Sequence, residues 1–282
     1  MKSYIKIIDP GFYTSIQDKG RYGFRRLGFP VSGPMDKYAF NRVNKILSNC
    51  DDDVSVLECT LKGPTILFEG PSWVAICGAK MPIYKNDEEI KYDTPFFCDL
   101  GDVLKIGSAL NGVRSYIGFS GGISRKKIYK STSQYIPITE NGKIIKGDKI
   151  SLMNKKFTPK RQNKFSKLKS LKSKGILKVF QGPFWNNLDN KIKDLLINNQ
   201  FKIGSNNRMG YRLSGNLPEN NFKLHSSSVL PGTVQLTPKG DLIIAMRDGQ
   251  VTGGYPRVFQ LSNKAQSQLA QFSTGKTVRF IL

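Results

Sequence analysis

The chain has 282 residues, 39% of them hydrophobic and 11% aromatic, and a net charge of +23. This length and apolar content suit two domains or one large one, and they exclude a disordered chain. No apolar run approaches the roughly 20 residues of a membrane helix or forms a signal-peptide core, so the expectation is a soluble, cytoplasmic protein.

The chain opens on turn glycines with polar side chains packed around them. In Pro10-Gly11-Phe12-Tyr13-Thr14-Ser15-Ile16-Gln17-Asp18-Lys19-Gly20-Arg21, the planar fork of Arg21 suits a carboxylate or phosphate. A structural ion pair at a barrel rim is the alternative. Asp36 can cap a helix running to about Ser48, with Ala39, Phe40, Val43, Ile46 and Leu47 on one face. Leu61 to Phe68 and Ser72 to Cys77 are strand-like runs bounded by Gly and Pro. Gly101, Gly147 and Gly275 each open a similar alternating strand, an echo suggesting two related halves. Gly118-Phe119-Ser120-Gly121-Gly122 lacks the dinucleotide-binding spacing and reads as a strand-end turn.

Residues 155–174 hold nine Lys or Arg and no acid, and are expected to form a solvated, extended connector. The rest of the chain is still basic. No aromatic platform accompanies the charge, so nucleic acid is not an expected partner. Beyond the connector, Leu188 to Asn199 has helical spacing. Asn207-Arg208-Met209-Gly210-Tyr211-Arg212-Leu213 is a second Arg-bearing turn. His225, the single histidine, lies in a polar loop-like stretch with little to suggest catalysis. Leu242 to Met246 is a strand-like run. Gly253-Gly254-Tyr255-Pro256 then demands a tight path, because glycine loses backbone entropy on folding and proline cannot donate to a ladder. That path either closes a barrel corner or approaches a ligand. Ser262 can cap a short helix. Gly275-Lys276-Thr277 is not a P-loop: Ala270 stands where the first glycine belongs, and a strand follows.

Four cysteines (Cys50, Cys59, Cys77, Cys98) lack Cys-x-x-Cys spacing, so reduced thiols are expected and no metal centre is. With one histidine, acid–base chemistry would fall to Asp, Glu, Lys, Tyr, Cys or the substrate itself.

Eight ordered segments carry a resemblance. They are Pro10 to Arg21, Gly28-Phe29-Pro30-Val31-Ser32-Gly33-Pro34-Met35-Asp36, Leu57-Glu58-Cys59-Thr60-Leu61-Lys62-Gly63-Pro64 and Gly121-Gly122-Ile123 in the first half. Gln181-Gly182-Pro183, Asn207 to Leu213, Leu230-Pro231-Gly232-Thr233-Val234-Gln235 and Thr252 to Pro256 follow in the second. Together they resemble the biotin-dependent carboxyltransferase-like family, also called allophanate hydrolase subunit 2.

The resemblance implies a mainly β chain of tandem cyclophilin-like β-barrel domains with a few short helices. With the connector, the expected division is 1–154, 155–174 and 175–282. It also implies the C component of a 5-oxoprolinase complex, which uses ATP to open the lactam of 5-oxoproline to glutamate. The partners would be the small cyclophilin-like B component and the barrel-type A component of the same complex. Two alternatives follow from relatives: carboxyl transfer from carboxybiotin to urea or a similar amide, and non-catalytic binding of a small cyclophilin-like kinase inhibitor.

Opening a lactam requires donors for developing negative charge. Gln17, Arg21, Arg208, Gln235 and the amides of Gly253 and Gly254 are candidates. Asp18 and Asp248 are candidate bases or orienting groups, and Tyr211 and Tyr255 candidate substrate-binding residues. Three features depart from the family pattern: Asn207 in place of Asp, Arg257 in place of Lys, and the segment 129–143.

Overall fold

A computed structural model describes residues 3–49, 54–153, 155–159, 175–222 and 224–282. Cys50 and most of the basic connector, residues 160–174, lie outside the described residues. The chain divides into two compact units, Met1–Tyr22 with Ser32–Ser170, and Gly23–Val31 with Leu171–Leu282.

The first unit contains β1 (Ser3–Asp9), β2 (Tyr13–Gln17), α1 (Lys37–Ile46), β3 (Val56–Thr60), β4 (Thr65–Glu69) and β5 (Ser72–Lys80). It continues with β6 (Ile83–Lys85), β7 (Glu88–Glu89), β8 (Phe96–Cys98), β9 (Val103–Ile106), β10 (Asn111–Phe119) and β11 (Lys149–Leu152). These strands form a six-stranded sheet, β11-β1-β4-β9-β6-β7, and a five-stranded sheet, β2-β3-β10-β5-β8. The unit is mainly β, as expected, with its two sheets sharing one core. Ile5 and Ile7 alternate inward along β1 and meet Phe68, Ile76, Leu104 and Phe119 from both sheets.

α1 starts where the sequence places it. The Asp36 carboxylate accepts from the Tyr38 and Ala39 amides at 3.0 and 3.1 Å, satisfying two otherwise unpaired donors. Its apolar face, Ala39, Phe40, Val43, Ile46 and Leu47, packs on Val56, Ala75, Cys77 and Tyr116. The fit depends on Gly118, where a Cβ would stand 2.9 Å from a Val43 methyl. A buried carboxylate anchors the helix entry: Glu58 accepts from the Met35 amide at 2.8 Å and the Tyr116 hydroxyl at 2.7 Å. The Tyr116 hydroxyl in turn accepts from the Asp36 amide at 2.7 Å.

The second unit contains β12 (Ile176–Gln181), α2 (Asn190–Asn198), β13 (Phe201–Asn206), β14 (Gly210–Ser214), β15 (Ser227–Ser228) and β16 (Thr233–Leu236). After these come β17 (Leu242–Ala245), β18 (Thr252–Gly253), β19 (Arg257–Leu261), α3 (Asn263–Leu269) and β20 (Thr277–Ile281). Seven strands close a barrel in the order β12-β19-β16-β17-β14-β13-β20, while β15 and β18 pair separately. Closure leaves no open edge. Trp185, Phe259, Phe280 and Phe201 form a chain of aromatic contacts at centroid distances of 5.0, 5.3 and 5.3 Å. Ser262 caps α3 as anticipated, and Asp189, which the spacing alone did not single out, caps α2.

Gly101, Gly147 and Gly275, at φ +89°, +91° and +87°, each occupy the left-handed turn that precedes β9, β11 and β20. At Gly275 the amide donates to the Ile203 carbonyl at 2.8 Å, so the Gly-Lys-Thr sequence is a turn into a strand.

Gly23–Val31 belongs to the C-terminal unit although it lies early in the chain. Within it, the Arg25 guanidinium donates to the carbonyls of Val229 and Val251. Cys59, Cys77 and Cys98 are free and buried, and burial pushes the thiols of Cys59 and Cys98 up to about 12. Among the described residues no helix is long and apolar enough to cross a membrane.

Candidate active site

The sequence candidates are divided between the two units. In the N-terminal unit, Gln17, Asp18 and Arg21 are all buried at the end of β2 and the turn after it. The Asp18 carboxylate accepts five hydrogen bonds. The Ser131 hydroxyl (2.6 Å), the Ser133 hydroxyl (2.7 Å) and the Gly20 amide (2.9 Å) donate to Oδ1. The Thr132 amide (2.7 Å) and hydroxyl (3.2 Å) donate to Oδ2. Burial opposes ionisation, but these donors outweigh it and hold Asp18 below the usual carboxylate range. A carboxylate has about four lone-pair sites, so five donors leave none open to substrate. Of the two roles considered for Asp18, base or orienting group, the geometry selects the second.

Arg21 is likewise committed. It donates to the carbonyls of Ser133 at 2.8 Å and Ile128 at 3.3 Å, and to the Ser32 hydroxyl at 3.4 Å, within a fully buried site. The Gln17 side chain accepts from the Gly33 amide at 3.1 Å and donates to the Ser15 hydroxyl at 3.0 Å. Gln134 completes the arrangement, with Oε1 accepting from the Ile16 amide at 2.8 Å and its backbone amide donating to the Ile16 carbonyl at 2.9 Å. Gln17 and Arg21, expected to bind substrate, direct these polar groups to partners within the fold. Both fasten the loop 128–134 and the turn at Ser32-Gly33 to β2. The segment that departs from the family pattern is the one they hold.

In the C-terminal unit, Arg208 and Asp248 form a two-pronged ion pair, Nε to Oδ2 at 2.6 Å and Nη2 to Oδ1 at 3.2 Å. They are 7% and 6% exposed. The backbones are joined as well, since the Asp248 amide donates to the Arg208 carbonyl and the Met246 amide to the Met209 carbonyl, each at 2.9 Å. Gly249 permits this, because a Cβ there would meet the Met209 carbonyl oxygen at 2.7 Å. Asn207, beside them, accepts from the Met209 and Gly210 amides at 2.8 and 3.1 Å. Either Asn or Asp supplies that side-chain oxygen. Asn207→Asp should therefore leave stability within about 0.5 kcal/mol of wild type, and Asn207→Ala should cost about 1 kcal/mol, measured by urea unfolding. Equal losses in both would overturn the acceptor role.

Gln235 lies on β16 opposite Ile243 and Arg257. It is 2% exposed, and its Oε1 is buried with no hydrogen-bond partner. That oxygen faces Gly253, where a Cβ would stand only 2.5 Å from it. The Gly-Gly-Tyr-Pro path thus serves a close approach: β18 pairs with β15 beside a buried amide. Gly254 is less confined, its nearest neighbour being the Leu224 carbonyl oxygen at 3.5 Å from a built Cβ. Tyr255 is 40% exposed, whereas Tyr211 is fully buried on β14 opposite Ile244. Tyr211, expected to bind substrate, is thus placed inside the barrel wall rather than beside Tyr255 at the surface.

Two groupings were invisible in the sequence pattern. Arg25 holds the carbonyls of Val229 and Val251, which follow β15 and precede β18, and the Val229 amide donates to the Val251 carbonyl at 2.9 Å. Burial lowers the pKa of Arg25. Arg257 and His225 share a small cavity. No motif signals either grouping. Among the described residues no group of three His, Cys, Asp or Glu side chains could hold a metal ion.

The family described as "Carboxyltransferase domain, subdomain A and B" matches residues 27–282. The chain belongs to the carboxyltransferase domain family. Within it, the chain is 30% identical over 292 residues to the C component of 5-oxoprolinase from Escherichia coli, covering 98% of this chain and 90% of that protein. It is 39% identical over 153 residues to the urea amidolyase of Saccharomyces cerevisiae, covering 52% of this chain and 8% of that one. The crystal structure of the K. lactis urea amidolyase superimposes with a TM-score of 0.88 at 27% identity, over 99% of this chain and 18% of that one. This carboxyltransferase-family chain therefore matches nearly the whole of the bacterial protein and a small part of the yeast enzymes.

Proposed function

We propose that the chain is the C component of a 5-oxoprolinase complex, acting with a small cyclophilin-like partner and a barrel-type partner in ATP-dependent hydrolysis of 5-oxo-L-proline to L-glutamate. The near full-length similarity to the C component of a bacterial 5-oxoprolinase supports the assignment. The observation that carries the site is the unpaired Gln235 Oε1 facing Gly253. Leaving a buried polar atom without a partner costs about 1–3 kcal/mol, so a group kept in that state calls for an explanation. A lactam carries an N–H that this oxygen can accept and a carbonyl that backbone amides near Gly253 can polarise. Asp248 and Arg208 hold the loop that leads to β18.

The test is co-expression with the two candidate partners, followed by an assay of 5-oxoproline loss with and without ATP. Turnover only with ATP is expected. Gln235→Leu and Gly253→Ala should each lower kcat/KM by about 10- to 100-fold, the first by removing the acceptor and the second by displacing it. An intact complex without ATP-dependent turnover would refute the assignment. Carboxyl transfer from carboxybiotin to a urea-like amide is the second reading, favoured by the likeness to urea amidolyase. It uses the same amide-binding residues and predicts loss of carboxybiotin on addition of urea.

A further inference from the structure

We infer that the C-terminal unit carries a pocket for the carboxylate of a small molecule, with Arg257 as its anchor. The cavity is about 210 Å³ and is lined by Pro183, Phe184, Leu224, His225, Ser227 and Arg257. This is smaller than the ~300–1,000 Å³ of drug-sized sites and suits a molecule of a few carbons. The inference deepens the proposed lactam reading, and rests on it only for the choice of probes.

The pocket has two kinds of wall. Pro183, Phe184 and Leu224 give an apolar side, while Arg257, His225 and Ser227 give donors. No acid lines it. Among the described residues neither Arg257 nor His225 has a carboxylate in salt-bridge distance, in contrast to Arg208 in the same unit. A half-buried guanidinium facing a cavity without a counter-ion attracts an anion.

The walls are held in place. Arg257 Nη1 donates to the Ser228 carbonyl at 2.7 Å, which fixes one edge of the fork. The Phe184 amide donates to the Arg257 carbonyl at 3.1 Å, and the Phe184 ring meets Phe222 edge-on at 5.0 Å. Gly182 lets this turn close on β19, because a Cβ there would stand 2.2 Å from the Arg257 carbonyl oxygen. A single planar fork with one hydroxyl beside it matches a planar monoanion. A tetrahedral dianion such as phosphate calls for more donors than these walls offer.

The single histidine makes the test direct, since His225 supplies the only imidazole signals in the chain. Full-length protein labelled at histidine is titrated by NMR with 5-oxo-L-proline, L-glutamate, 5-oxo-L-prolinamide and inorganic phosphate. Saturable shifts of the His225 ring signals are expected with at least one of the two acids, and none with the amide. Arg257→Gln should abolish the shift and Arg257→Lys should weaken binding by about 10-fold, with the remaining spectrum reporting the fold. The pocket is overturned if neither acid shifts the ring, if the amide shifts it equally, or if Arg257→Gln leaves affinity unchanged. Tighter binding of phosphate than of either acid would overturn the carboxylate assignment. Glutamate binding without 5-oxoproline binding would keep the pocket and count against the lactam reading. ATP-dependent turnover in the complex without any ring shift would do the reverse.

Discussion

Replacing Arg208 with alanine should destabilise the C-terminal unit by about 3–5 kcal/mol, because it strands Asp248 as an uncompensated buried charge. Both side chains are buried and joined by two bonds, at 2.6 and 3.2 Å. In thermal unfolding the midpoint should fall by roughly 10–20 °C. A loss below about 1 kcal/mol would instead describe a pair exposed to solvent. The single substitution cannot separate structure from chemistry, since a molten barrel loses activity for either reason. The double variant Arg208→Met with Asp248→Leu separates them. Replacing both members of a buried pair with apolar groups of similar volume is often neutral or stabilising. If the double variant regains stability and the assembled complex still turns over 5-oxoproline, the pair is a cross-link between two loops. If stability returns and turnover does not, the pair acts on substrate.

Asp18→Ala should cost the N-terminal unit about 3 kcal/mol or more, since five donors from Gly20, Ser131, Thr132 and Ser133 lose their acceptor at once. The same carboxylate predicts a pH dependence. Its pKa is lower in the folded chain than the ~3.9 of an unfolded aspartate. The unfolded state therefore binds the proton first, so Asp18 contributes its full stabilisation above about pH 4 and loses it as pH falls through the folded value. Urea unfolding at pH 6 and pH 3 should show wild type losing more stability on acidification than Asp18→Asn does. Equal stability of Asp18→Asn and wild type at pH 6 would show that the charge contributes nothing to holding the loop.

What could be read from sequence was what is decided locally. Asp36 and Ser262 cap helices whose first turns lie two or three residues away. The turn glycines before β9, β11 and β20 stand next to the strands they introduce. The site was legible only by its members. Gln235 and Gly253 were both candidates, yet their facing contact comes from strand pairings that no spacing records. Gln17, Asp18 and Arg21 look like ligand-binding residues because polar side chains around glycines serve ligands and loops equally well. Their partners in the fold come from residues 128–134, more than 100 positions later. His225 reads as an ordinary loop histidine until Gly182 and the β15–β18 pairing bring Phe184 and Arg257 beside it.

The placement of Gly23–Val31 has a consequence in time. Arg25 leaves the ribosome 204 residues ahead of Val229 and 226 ahead of Val251. At ~5–20 residues per second, the segment waits about 10–45 s for its partners. Among the described residues the strands of the N-terminal unit have been made by Leu152, well before that wait ends. The C-terminal unit is thus the late-finishing part of the chain, and a piece begun after the basic connector would lack the arginine that ties Val229 to Val251.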